Sequence, residues 1–251
     1  MDWHARYVQQ AAWTREVREY LLARAGITRA HGILEVGCGT GVILHDVIQM
    51  AKQYPVHPAN VLGLDISASA LQQARSFAPE AILVRGDAAR LPLADASVDI
   101  AYCHFLLLWV HDPGAAIREM RRVTRPGGYV LALAEPDYSG REDRPATLAQ
   151  IGALQTAALR AQGADPAIGS RVADLFDRAG LSIVETGMIA PQNPASISEH
   201  QWKGEWATIR QDLADRLSES ELDRLQQEDV QARHAGQRQL FVPTYFVHAQ
   251  V

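Results

Sequence analysis

Three glycines at alternate positions, Gly37, Gly39 and Gly41, separate the apolar run Ile33-Leu34-Glu35-Val36 from a helical pattern over Val42–Met50. A glycine turn between a strand and a helix lets the backbone approach a ligand closely and aims free N–H groups at it. The next apolar run, from Val61, ends in Asp65, where a carboxylate can accept hydrogen bonds from vicinal ribose hydroxyls. A third run, Ala81–Arg85, leads into Gly86-Asp87-Ala88, which places Asp87 to accept from an adenine amino group while apolar neighbours sandwich the ring. A dinucleotide fingerprint requires glycine or alanine where this chain has Val42, so a pyrophosphate cradle, and with it a NAD-dependent oxidoreductase, is the disfavoured alternative.

Groups able to move protons gather after the next two apolar runs. Val98–Cys103 continues into His104-Phe105, and Tyr129–Ala134 continues into Glu135-Pro136-Asp137-Tyr138. Pro136 restricts Glu135 to extended backbone, which aims that strand end at a cleft. His104, Glu135 and Tyr138 are the candidate catalytic residues, with Asp137 and His111 as further proton carriers. Cys38 and Cys103 have neither metal-ligand spacing nor a disulfide partner pattern and read as buried thiols. The sequence predicts no metal site.

The positioning elements follow from periodicity. A leader helix is expected from Asp2 to Ala25, stopped near Gly26. Ser67 caps a helix over Ala68–Phe77, and Pro113–Val123 forms another that ends before Pro126-Gly127-Gly128. Strands alternating with helices of this length imply crossover connections and a mainly parallel sheet. The rhythm breaks at Pro136–Pro145, and a helix is expected from Ala146 to Gln162. One more helix and strand follow, Arg171–Ala179 and Leu181–Ile189. Pro191 to Gln237 reads as two or three amphipathic helices, and Trp202 and Trp206 within it suit an apolar acceptor or the segment's own core. The chain closes on a strand, Leu240–Val247, whose Pro243 suits a sheet edge or a bulge.

Composition excludes several classes. The chain has 251 residues, 47% hydrophobic and 21% charged, as an ordinary globular protein does. The net charge of −5 and the lack of a basic stripe argue against a nucleic-acid partner. No run approaches a membrane span, and the first residues lack a signal-peptide core, so a cytoplasmic location is expected.

The stretches Ile33-Leu34-Glu35-Val36-Gly37-Cys38-Gly39-Thr40-Gly41, Leu64-Asp65-Ile66-Ser67, Gly86-Asp87-Ala88-Ala89-Arg90-Leu91-Pro92-Leu93 and Arg125-Pro126-Gly127-Gly128 together resemble the ordered signatures of class I S-adenosylmethionine (SAM)-dependent methyltransferases, nearest the type-11, ubiquinone/menaquinone-biosynthesis-like branch. The motifs span roughly Leu22 to Glu135 and speak to the donor, not the acceptor. The resemblance implies an α/β, Rossmann-like seven-stranded sheet, mainly parallel with an antiparallel final strand. It implies one methyltransferase domain over 1–251 with helical cap elements at 1–26, 136–163 and 191–237. It implies that Gly37, Cys38, Gly39 and Gly41 border the methionine moiety of SAM, that Asp65 and Ile66 meet ribose and adenine, and that Asp87 and Ala88 meet adenine. Glu35 stands where many relatives have Asp and favours the cofactor's ammonium group. His104 lies on the sulfonium side, and Tyr7 and Trp13 of the leader helix form a lid over the cofactor. Trp109 falls where relatives often carry a histidine.

The implied reaction moves a methyl group in line from the sulfonium to O, N or C of a small-molecule acceptor and leaves S-adenosylhomocysteine. Alignment carries most of the rate, and a base is needed only where the acceptor arrives protonated. A homodimer is an open expectation. A SAM-binding partner subunit without transfer activity is the reading from another class.

Overall fold

The computed structural model describes residues 3–53, 60–190 and 198–251. Residues 1, 2 and 191–197, which bear on the starts of the leader helix and the last cap segment, lie outside it. The elements run α1 (Trp3–Trp13), α2 (Arg15–Arg24), β1 (Gly32–Val36), α3 (Val42–Ala51), β2 (Asn60–Asp65), α4 (Ala68–Phe77), β3 (Ile82–Arg85), β4 (Val98–Cys103), α5 (Pro113–Val123) and β5 (Thr124–Pro136). They continue with β6 (Glu142–Arg144), α6 (Ala149–Ala161), α7 (Val172–Arg178), β7 (Ser182–Met188), α8 (Glu199–Leu213), α9 (Glu219–His234), β8 (Gln239–Phe241) and β9 (Thr244–Gln250).

Seven strands form one sheet in the order β3-β2-β1-β4-β5-β9-β7. The first five are parallel, and β9 runs antiparallel to both β5 and β7. The chain reverses direction of travel between β1 and β4, where open α/β sheets leave a crevice at the carboxyl ends of their strands. The side-chain period of two assigns alternate residues to opposite faces. Ile100 and Tyr102 of β4 and Leu131 and Leu133 of β5 pack with the faces of α2 and α3, while Ala101, Cys103, Val130 and Ala132 pack with α5 and α7.

Local signals behave as their chemistry dictates. Ser67 accepts from the Ala70 amide and caps α4, and Asp112 accepts from the Ala115 amide with Pro113 in the first turn of α5. Ser198 and Ser218 form capping boxes with Gln201 and Glu221 at the starts of α8 and α9.

Two expectations change. The leader is two helices broken at Thr14, whose hydroxyl lies 2.8 Å from His104 Nε2 and does not cap α2. The closing strand is also two pieces. β8 pairs with β6 in a small separate sheet, and β9 lies between β5 and β7, in the interior of the main sheet. Pro243 sits between the pieces, belongs to neither ladder, and accepts from the Asp137 amide through its carbonyl (2.7 Å). The last cap segment resolves into two helices, α8 and α9, which pack Trp206, Leu213, Leu222 and Leu225 with Leu148 and Ile151 in a core of their own.

His248 of β9 is buried against the Tyr129 ring (4.9 Å between centroids), and neither ring nitrogen has a hydrogen-bond partner. Burial, reinforced by Arg24 and opposed by Glu185, lowers its pKa. The unfolded chain takes up a proton near pH 6.5 that the folded chain refuses, so this residue removes stability as pH falls through that value. His248→Leu is expected to raise stability by about 1–2 kcal/mol and to flatten the decline between pH 7 and 5.5, read by denaturant melts at each pH. An unchanged pH profile contradicts this role.

Candidate active site

The carboxyl ends of β1, β2 and β4 open onto a cavity of about 360 Å³ lined by Glu35, Gly37, Cys38, Gly39, Asp65, Ile66 and His104. The turn after β1 carries positive φ at Gly37, Gly39 and Gly41. Each glycine is also pinned by a different neighbour. A Cβ at Gly37 would lie 2.5 Å from Leu106, one at Gly39 3.1 Å from the Tyr7 ring, and one at Gly41 3.1 Å from Ala74 of α4. Gly41 therefore serves the packing of α3 on α4 and does not line the cavity.

Asp65 ties this turn to the second strand. Its Oδ2 accepts from the Gly39 amide and its Oδ1 from the Ser67 amide, both at 2.8 Å. A carboxylate offers about four lone-pair sites, so each oxygen keeps one for a vicinal diol. Ile66, 65% exposed, supplies an apolar plate beside it. Asp87 lies exposed beyond β3, accepts from the Ala89 amide (2.9 Å), and with Ala88 falls outside the cavity lining.

Glu35 is 2% exposed and accepts from the Tyr102 hydroxyl at 3.1 Å. Burial pushes its pKa up to about 8, against the opposing pull of the Tyr102 hydrogen bond and Arg18. The Arg18 guanidinium is itself buried, reaches the Thr14 hydroxyl at 3.0 Å and Asp46 of α3 at 2.5 Å, and docks the leader onto the domain. Burial and the nearby Arg18 hold the His104 imidazole neutral, with its pKa down to about 3. The Cys38 and Cys103 thiols are pushed upward by burial, away from thiolate chemistry.

A second cavity, about 190 Å³, lies beneath the cap helices. The two cavities share a wall of Gln10, Phe105, Tyr138 and Leu159. Trp13, expected at the cofactor, lines this second cavity only, because the helix break at Thr14 sets it toward the cap. Tyr7 does line the first. Trp202 and Trp206 line neither. Both indole N–H groups donate to Asp229 Oδ2, at 2.5 and 2.8 Å, and the rings belong to the cap's core.

Glu135 and Asp137 are not placed for catalysis. Glu135 has no exposed surface, lines neither cavity, and accepts from the Leu106 amide (3.1 Å), the Leu107 amide (3.0 Å) and the Cys103 thiol (3.5 Å). Burial raises its pKa to about 7, against these donors. Asp137 accepts from the Ser139 amide and hydroxyl and the Ser170 amide (3.1 Å). Burial alone would raise its pKa, and these hydrogen bonds outweigh burial and lower it. His111 is exposed and lines neither cavity. His104 and Tyr138 are the two remaining candidates that reach a cavity.

Sequence reading missed Glu205, Thr208, Ile209 and Asp212, which line the second cavity from α8. Their i, i+3, i+4, i+7 spacing marks one helix face, a signal present in the sequence but hidden by the two tryptophans on the same helix. It also missed Arg141 and Gln155, whose roles depend on contacts between distant segments.

Residues 34–132 match the family model described as a methyltransferase domain. The chain is 36% identical over 124 residues to a malonyl-[acyl-carrier protein] O-methyltransferase of Pseudescherichia vulneris, covering 49% of this chain and 47% of that protein. The chain thus spans about half the length of such curated relatives. Among solved structures, it is similar to a geranyl diphosphate methyltransferase in complex with SAM (TM-score 0.56, 14% identity, 94% of this chain and 84% of the other). It is also similar to the [4+2]-cyclase SpnF (TM-score 0.59, 19% identity, 94% and 80%). At these identities the structural likeness speaks to the fold alone.

Glu135→Ala strands the Leu106 and Leu107 amides in a dry site and is expected to cost about 2–4 kcal/mol in denaturant unfolding. Glu135→Gln, which keeps one acceptor oxygen, is expected to cost less. A catalytic Glu135 would instead leave stability nearly unchanged in both.

Proposed function

We propose that this chain, which belongs to the class I SAM-dependent methyltransferases, transfers a methyl group from SAM in the larger cavity to a small molecule in the smaller one. The observation that carries the reading is the shared wall. Two cavities of unequal size meet at Phe105 and Tyr138, above the ends of β4 and β5, which is the arrangement an in-line displacement between two bound molecules requires. Asp65 would take the ribose diol, Ile66 would flank the adenine, and Glu35 would answer the ammonium group. SAM supplies the electrophilic methyl when bound.

The chain's own residues align and dehydrate. Phe105 and Leu159 exclude water from the shared wall, and the neutral His104 adds no positive charge to repel a sulfonium. With its pKa held so low, His104 is a weak base at neutral pH, so it is a hydrogen-bonding neighbour of the reacting atoms and not their proton acceptor. Tyr138, whose hydroxyl makes no hydrogen bond with any described residue, is the polar group on the wall that would orient an acceptor nucleophile.

The malonyl acceptor named for the curated relatives is not carried over. The family match ends at residue 132, before the residues between 136 and 159 and between 205 and 212 that line the second cavity. No helix among the described residues is long and apolar enough to cross a membrane, and the acceptor is proposed to be a small diffusible compound.

Calorimetry with S-adenosylhomocysteine is expected to give one site per chain, and Asp65→Ala is expected to weaken it about a hundredfold, near 2.7 kcal/mol. Folded protein that binds none overturns the proposal. Glu35 adds a proton linkage. At pH 7 the buried carboxyl is protonated, and an approaching ammonium lowers its pKa, so SAM binding is expected to release more protons than binding to Glu35→Gln does. Heats measured in buffers of different ionisation enthalpy read the difference, which vanishes above about pH 9. Equal proton release by both proteins places Glu35 away from the ammonium. Tyr138→Phe is expected to lower kcat at least tenfold with donor affinity unchanged, read on the acceptor once found.

A further inference from the structure

The polar wall of the smaller cavity is built to receive a hydrogen-bond donor and to refuse an anion. Its single basic side chain among the described lining residues, Arg141, is already committed. Nε donates to Asp143 Oδ2 at 2.7 Å and Nη1 to Gln155 Oε1 at 2.7 Å. Asp143 in turn takes Arg238 at 2.9 Å, and Arg238 pairs with Asp229, so two buried cations and two buried carboxylates balance one another. An anionic ligand reaching for Arg141 would have to break a closed, nearly dry network, at the cost of leaving Asp143 short of a partner.

Two of the acceptors on that wall are carboxyls. Glu205 and Asp212 lie two turns apart on one face of α8 with Thr208 and Ile209 between them, and Gln155 orients Asp212 by donating from Nε2 to Oδ2 at 3.1 Å. Burial pushes the Glu205 carboxyl up to about 7 against the pull of Arg238, Arg233 and Arg141, so a further cation placed beside it from the cavity favours the ionised form. The remaining walls are mainly apolar, with Trp13 and Phe241 among them and Gln10, Thr14 and Thr244 as polar exceptions. A volume of about 190 Å³ compares with the ~150 Å³ dry cavity that holds benzene.

We propose that the smaller cavity selects a ring-sized apolar compound bearing an amine, held by the Glu205 and Asp212 face of α8, and discriminates against carboxylates and phosphates of the same body. This rests on the reading of the larger cavity as the donor site only in naming the compound as methyl acceptor. The recognition itself is a property of the cap.

The test uses the full chain saturated with S-adenosylhomocysteine and a matched set, phenethylamine, phenethyl alcohol and phenylacetate, titrated by calorimetry. The amine is expected to bind at least tenfold more tightly than the carboxylate, with the alcohol between them. Glu205→Gln and Asp212→Asn are each expected to shrink that ratio at least threefold, and the pair together to abolish it. S-adenosylhomocysteine affinity on the same samples reports folding and donor binding separately. Should the donor product fail to bind, the methyltransferase reading falls and the same series is run on the free protein, so the two ideas fail independently. Tighter or equal binding of phenylacetate, no binding of the amine at millimolar concentration, or an amine preference that survives the double substitution overturns the inference.

Discussion

Glu135 ends β5 with no exposed surface and spends both carboxylate oxygens on the backbone, accepting from Leu106 and Leu107 in the segment that follows β4. That segment opens a 3-10 turn, Leu107–Trp109, whose first amides have no partner within the turn, so the carboxylate supplies one. Its placement then propagates. Phe105, at φ +52, is held in a left-handed conformation that a bulky side chain adopts only under constraint, with its amide on the Ala134 carbonyl (2.9 Å). Leu106 closes on Gly37, and Phe105 becomes the partition between the two cavities. Without this anchor, Gly37 would lose the leucine it closes against and the shared wall its Phe105.

The leader helices and the cap complete the enclosure by different means. The leader is fastened by a buried guanidinium, Arg18, which joins Thr14 and Asp46, while Thr14 also meets His104 at the end of β4. From that leader, Tyr7 lines the larger cavity and Trp13 the smaller. The cap is fastened by the Arg141, Asp143, Arg238 and Asp229 network, which links β6, α9 and the segment before β8. Buried ion pairs of this sort gain little over apolar packing but cost a great deal when one partner is missing. They specify a single arrangement of the wall that faces the ligand.

The alternating apolar runs announced β1 to β5 and their helices, since each is short, uninterrupted and bounded by glycine, proline or a capping residue. Asp65 and the glycines were legible because they are local and sit where a strand must end. Glu135 and Asp137 were misread as proton carriers because sequence shows that a carboxylate lies near a strand end but not that backbone amides from the segments after β4, after β5 and before α7 will consume it. The split of the closing strand at Pro243 was half legible. The proline signalled an interruption, but that β9 would be inserted between β5 and β7 depends on pairing across more than a hundred residues. The wall of the smaller cavity was the least legible part, since Arg141, Gln155 and Asp212 meet only through the fold.

The spacing Gly37-x-Gly39-x-Gly41 shows why a motif can be correct about a site and wrong about its own reasons. All three glycines adopt positive φ, yet the neighbour that forbids a side chain differs at each: a loop leucine, a leader tyrosine and a helix alanine. Only the first two of these contacts border the cavity. The third sets how closely α3 packs on α4, while Asp65, whose oxygens accept from Gly39 and Ser67, ties the turn to the start of α4. The motif therefore encodes the convergence of three elements on one turn, and the larger cavity is the space that convergence leaves open.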